Sequence, residues 1–197
     1  MTVSLAELMA EARACRHCAD LPLGPRPVLR ASLTSRLLII GQAPGTKVHE
    51  SGIPWDDRSG QRLRQWLQTP PEVFYDDSRI AIIPTGLCYP GRDPRGGDLP
   101  PRPDCAPLWH PRLIPALPGI ELILLVGMHA QAFHLGKSRK ATMTETVRSW
   151  RDYGPKLMPL PHPSWRTTAW EKANPWFGDE LLPILRARVG ELLRASS

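Results

Sequence analysis

Three groups of residues have the types and spacing to do chemistry. The four cysteines form a close pair, Cys15-x2-Cys18, and a wide pair, Cys88-x16-Cys105, with 69 residues between them. In an intracellular protein this pattern points to metal ligation or redox chemistry before disulfides. Four thiolates suit structural zinc as well as an iron-sulfur cluster, so residue chemistry leaves both open. The second group is Gly41-Gln42-Ala43-Pro44-Gly45, a turn in which two glycines permit close backbone approach to a ligand. It is followed by Gly52-Ile53-Pro54-Trp55 and the acidic pair Asp56 and Asp57. The third group is His162-Pro163-Ser164, with Trp165 and Arg166 directly behind it. No G-x-S-x-G nucleophile motif accompanies His162, which argues against a hydrolase that uses it as general base.

The apolar runs show which elements position these groups. Four short runs, at 36–40, 79–84, 121–127 and 156–160, lack polar alternation and are expected as strands of a parallel sheet covered on both faces. Helices are expected at 3–14, 60–68, 107–117, 129–135 and 142–150, with a last one over 178–195. The fold class expected is therefore α/β: a three-layer α/β/α sandwich around a four-stranded, mainly parallel sheet, spanning 1–197 as a single domain. In such a sheet the ligand site lies at the C-terminal ends of the strands. There the glycine turn follows the first run and His162 follows the fourth. Between Tyr89 and Asp104 runs a Pro- and Gly-rich loop too long for a routine connection, expected to be functional or to be held by Cys88 and Cys105.

With these pieces in order, the sequence resembles the uracil-DNA glycosylase superfamily. Its members pair a GQDPY- or GEAPG-like loop after the first strand with an HPS- or HPA-like loop after the last. Here these are GQAPG at 41–45 and HPS at 162–164, with Trp55 replacing the Phe of a GxPF-like segment. The cysteine spacing resembles the iron-sulfur branch, which implies a 4Fe-4S cluster on Cys15, Cys18, Cys88 and Cys105, with zinc as the alternative. The resemblance implies hydrolysis of the glycosidic bond of uracil or a related deaminated base, flipped out of the stack into a pocket. Gly41, Ala43, Pro44 and Gly45 would line the base and sugar side together with Gln42. Trp55 would supply a stacking face, and His162 a hydrogen bond to the oxygen that gains charge as the base leaves. Ser164, Trp165 and Arg166 stand where relatives place the wedge that enters the duplex.

Two departures change the expectation. Ala43 and Gln42 occupy the positions of the first-motif carboxylates, leaving His49, Glu50, Asp56 and Asp57 as candidates to activate water. Pro84 stands where the iron-sulfur branch carries an Asn that reads the uracil edge. Strict uracil specificity is then not implied, and the expected readers are the Thr85 hydroxyl or backbone groups of Pro84 to Leu87.

The net charge of +6, with Arg supplying 20 of the 25 basic residues, favours phosphate contact. The expected partner is DNA carrying a damaged or deaminated base, with no obligate protein partner evident. The longest apolar runs are too short to cross a bilayer, and no basic segment precedes an apolar core near the N-terminus. A cytoplasmic protein, nucleoid-associated if bacterial, is expected. The alternative reading is a metal-stabilised nucleic-acid-binding protein without catalysis.

Overall fold

The computed structural model describes residues 3–194. Its element order is α1 (Leu5–Arg13), β1 (Leu37–Ile40), α2 (Thr46–Ser51), α3 (Arg58–Leu67), α4 (Pro71–Phe74) and β2 (Ile80–Ile82), followed by α5 (Cys105–Leu113) and β3 (Leu122–Val126). Then come α6 (Met128–Leu135), α7 (Met143–Arg148), β4 (Leu157–Leu160), α8 (Thr167–Ala173) and α9 (Leu182–Arg194). The four strands form one sheet in the order β2-β1-β3-β4, and every pairing is parallel.

Each strand is buried along nearly its whole length, because helices cover both faces of the sheet. Alternate residues feed two separate cores. Leu37, Ile39, Leu124, Val126, Met158 and Leu160 pack against α3, α4, α7 and α9. Leu38, Ile40, Ile123 and Leu125 pack against α1, α5 and α6. The strands needed no alternation in sequence because both of their faces are interior.

Helix ends differ from expectation where proline decides. The helix expected at 107–117 runs from Cys105 to Leu113; Ile114 keeps helical dihedrals, but Pro115 after it has no N–H to continue the helical ladder. The last helix was expected to begin at Gly178, but a π-helical turn covers Phe177–Leu181 and α9 starts at Leu182. Pro183, lacking an N–H, fits the first turn, where that donor has no partner anyway. Ala195, the end of the expected helix, lies outside the described residues. The segment expected as helix over 142–150 is helical from Met143 to Arg148 and continues as a 3-10 turn at Trp150–Tyr153.

The register brings the ends of all four strands to one edge. Ile40 pairs with Leu125 and Val126 with Leu160, so Gly41, Gly127 and Pro161 leave the sheet side by side. Two bonds fix that edge: the Gly127 amide donates to Leu160 O at 2.8 Å, and buried Gln131 Nε2 on α6 donates to the same oxygen at 2.8 Å. Replacing Gln131 with Ala removes a buried amide that ties the end of β4 to α6. The expected cost is about 1–3 kcal/mol in urea denaturation, with faster amide exchange at Leu157–Leu160 than elsewhere in the sheet.

Candidate active site

A cleft of about 500 Å³ opens at this edge, within the size range of small-molecule sites. Its floor is the Gly41–Gly45 turn leaving β1, and its walls include Trp55, Asp57 and His162. Ser164, Trp165 and Arg166 border the mouth. Gln42, Ala43 and Pro44 also face the cleft, so the glycine turn and the HPS loop meet although about 120 residues separate them in sequence.

Glycines make the approach possible at two points. A Cβ on Gly41 would stand 2.6 Å from Trp55 Cζ2, so the edge of the indole comes up against a backbone without a side chain. At the end of β3, Gly127 adopts φ +89°, and a Cβ there would stand 3.3 Å from His162 Cβ. The strand between β1 and β4 thus withdraws and leaves room for the histidine.

Trp55 is held in an unusual backbone state, φ +59°, which a bulky residue adopts only when its surroundings enforce it. Its carbonyl accepts from Tyr75 Oη at 3.1 Å and Arg64 Nη1 at 3.4 Å. Gly60 permits the close approach, because a Cβ there would lie 1.8 Å from the Trp55 oxygen. Asp57 caps α3 by accepting from the Gly60 amide at 2.8 Å, which starts the helix immediately behind the indole. The Trp55 and His162 rings are neighbours, 5.8 Å between centroids and tilted by 34°, so they share one wall of the cleft.

Among the described residues none hydrogen-bonds the His162 ring, while its carbonyl accepts from the Ser164 amide at 2.8 Å and from the Thr167 hydroxyl. Burial pushes its pKa below the usual histidine value; the Asp57 charge opposes this and His129 adds to it. The imidazole is therefore neutral at pH 7, with a nitrogen free to donate into the cleft. Its loop is braced by Arg62 on α3, which donates to Ser164 O at 3.2 Å, to Thr168 Oγ1 at 2.7 Å and to Glu171 at 2.9 Å. Trp165 is left 79% exposed, with the Arg166 guanidinium 5.5 Å from its ring.

Other expected residues lie elsewhere. Thr85 is buried, its hydroxyl donates to Gly41 O at 2.7 Å, and it does not border the cleft; Pro84 does. The oxygen of Pro84 accepts from His110 Nε2 at 3.0 Å, and His110 Nδ1 then accepts from His134 Nε2 at 2.9 Å. His110 thus orders the backbone after β2, despite its closeness in sequence to Cys105. Of the water-activating candidates only Asp57 reaches the cleft: His49 is buried against Tyr89, and Glu50 and Asp56 are exposed outside it. The loop from 89 to 104 supplies a residue that sequence reasoning missed, Asp98, at the cleft mouth beside Gly96 and Gly97.

Cys15, Cys18, Cys88 and Cys105 border a second, small cavity shared with His17 and Trp109. All four are free thiols, and among the described residues no three His, Cys, Asp or Glu side chains converge as a ready-made metal site. Four sulfurs around one small cavity are a donor set of the kind soft cations take. Burial, reinforced by the neighbouring cysteines, pushes the Cys88 thiol up to about 12 and that of Cys105 to about 11. The Leu87 amide already donates to Cys105 Sγ at 3.2 Å, and the Arg26 amide to Cys88.

A family model, Uracil DNA glycosylase superfamily, matches residues 30–186. The chain belongs to this superfamily. The match takes in the glycine turn, Trp55, Cys88, Cys105 and the HPS loop, and begins after Cys15 and Cys18. Superfamily members are DNA glycosylases that act on deaminated bases, which agrees with a cleft built around a neutral histidine and an aromatic wall.

The clamp on Trp55 generates a test. Gly60→Ala places a methyl against the Trp55 carbonyl and should cost about 1–3 kcal/mol in denaturant unfolding. Tyr75→Phe deletes one bond and should cost only about 0.5–1.5 kcal/mol. A Gly60→Ala variant as stable as wild type would show that the indole is not held this way.

Proposed function

We propose that the protein is a monofunctional DNA glycosylase that hydrolyses the N-glycosidic bond of uracil or a related deaminated base. The observation that carries this reading is the unpartnered, neutral His162 beside Trp55, above the Gly41–Gly45 turn. A base flipped into the cleft would lie against the indole, a contact worth ~1–3 kcal/mol per base. As the C1′–N bond breaks, its electron pair moves into the base and negative charge grows on a carbonyl oxygen. His162 would donate a hydrogen bond to that oxygen without transferring its proton. Gln42 and the backbone of Ala43 to Gly45 would hold base and sugar.

Exposed Trp165, backed by Arg166, would enter the space the base leaves, with Ser164 and Arg166 on neighbouring phosphates. Base identity would be read by backbone groups after β2, held in place by the His110–Pro84 bond. Cys15, Cys18, Cys88 and Cys105 would hold a 4Fe-4S cluster, or zinc as the alternative, which would supply a structural tie between the N-terminal segment and α5. No part in bond cleavage is assigned to it.

The test is incubation of purified protein with oligonucleotides carrying uracil, hypoxanthine, xanthine or hydroxymethyluracil, followed by alkali. Strand scission at one of these positions is expected. His162→Ala should lower the single-turnover rate by ~10²- to 10³-fold with DNA affinity little changed, whereas Trp55→Ala should weaken base capture as well. DNA binding without scission at any base would favour a catalytically inactive binding protein.

For the thiols, anaerobically purified protein should be brown and contain about four irons per chain, as four-cysteine cubane sites do. Stoichiometric zinc without iron would assign the alternative, and metal-free protein of undiminished stability would dismiss both.

A further inference from the structure

We propose that Asp98 is a catalytic residue that takes the proton from the attacking water, a role the first motif cannot fill with Gln42 and Ala43. The inference rests on the glycosylase reading and adds a residue to it from the one long loop that reading leaves without a task.

The loop is built as a small antiparallel turn aimed at the cleft. Leu99 N donates to Gly91 O at 2.9 Å, Asp93 N to Gly97 O at 2.9 Å, and Arg92 and Asp98 face each other as a bridge pair. Gly91, Gly96 and Gly97 all take positive φ, between +91° and +107°, so the turn closes only with glycine at these places. Its two acidic residues have different settings. Asp93 accepts from the Arg95 amide at 2.9 Å and from the Arg95 side chain, which holds its carboxyl below the usual carboxylate range. Among the described residues none makes a hydrogen bond or ion pair with the Asp98 side chain. It borders the cleft, with Oδ2 3.2 Å from where a Cβ on Gly45 would stand. The absence of a side chain at Gly45 is what admits the carboxylate.

Four titratable or charged side chains border this cleft: Asp57, Asp98, His162 and Arg166. Asp57 is engaged as the cap of α3, His162 is neutral and assigned to the leaving base, and Arg166 cannot act as a base. Asp98 is the carboxylate with both oxygens unengaged, whereas Asp57 has Oδ1 held by the Gly60 amide. Desolvation raises its pKa above the usual aspartate value and the Asp57 charge adds to this, against the attraction of Arg92. That makes it a stronger base than an exposed aspartate. In the step, the C1′–N bond breaks with its electron pair passing to the base. A water oxygen bonds to C1′, and the water proton passes to the Asp98 carboxylate. Asp98 then releases it to solvent or to the departed base anion, leaving a 1′-hydroxyl on the sugar.

The experiment compares wild type, Asp98→Asn and Asp98→Glu in single-turnover release of whichever deaminated base the wild type removes, from acid to neutral pH, alongside DNA affinity. Because the ionised form is the base, the wild-type rate should fall as pH drops through the raised Asp98 pKa. Asp98→Asn should be slower by ~10²- to 10⁴-fold at neutral pH, should lack that acidic fall, and should bind DNA at least as tightly, having lost a negative charge. Asp98→Glu should recover part of the rate and restore the fall. An Asp98→Asn variant that cleaves at the wild-type rate, keeps the acidic fall, or loses affinity in proportion to rate overturns the assignment while the glycosylase reading stands. A wild type that releases no base overturns both.

Discussion

The parallel register of β1, β3 and β4 is the constraint on which the site depends. With Ile40 beside Leu125 and Val126 beside Leu160, the chain leaves all three strands at one edge. Two loops far apart in sequence are therefore obliged to meet. The meeting needs space, and β3 provides it by ending in Gly127 with no side chain. Gln131 then holds the last carbonyl of β4, so His162 starts from a fixed point. Much of the remaining architecture serves to keep these short strands buried on both faces, which is what makes the register unique: a slip of one residue would exchange the two cores.

On this frame the electrostatics are divided by position. His162, just past the end of β4, is kept neutral by burial. Asp57 faces the cleft but is tied to the amide at the start of α3, so its charge acts on neighbours more than on a ligand. Asp98 arrives at the mouth on a glycine-shaped turn with its oxygens free. Burial and hydrogen bonding, more than residue type, decide what each group can do: two aspartates beside one cleft have different chemistry because one of them already has a partner.

The sheet, its parallel sense and the convergence of the two motif loops were legible in the sequence, because four uninterrupted apolar runs can only be strands covered on both sides and because GQAPG and HPS each follow one. Short helices were not. Thr46–Ser51, Pro71–Phe74 and Thr167–Ala173 span barely one or two turns, too few residues to display a 3.6-residue period. Thr85 has the chemistry to read a base, yet the hydroxyl closes on Gly41 O, a bond between strand ends that no local pattern encodes. Asp98 was hidden for a related reason. A Pro- and Gly-rich stretch carries no periodicity, and only the folded turn shows that one acidic residue binds its own loop while the other faces the cleft. Tyr75 and Arg64 likewise act on Trp55 only through tertiary contact.

The central place of β1 has a consequence for how the chain is made. Leu37–Ile40 is the first strand to be synthesised, yet its neighbours begin at Ile80 and Leu122. At synthesis rates of about 5–20 residues per second, β1 waits for several seconds with one or both hydrogen-bonding edges open. A naked Leu-Leu-Ile-Ile segment is the kind of strand that seeks other copies of itself. A charge flanking such a strand, as Arg36 does here, opposes that pairing. In the finished fold the same side chain reaches Glu121 and Leu192 O, tying the start of β1 to the residue before β3 and to α9.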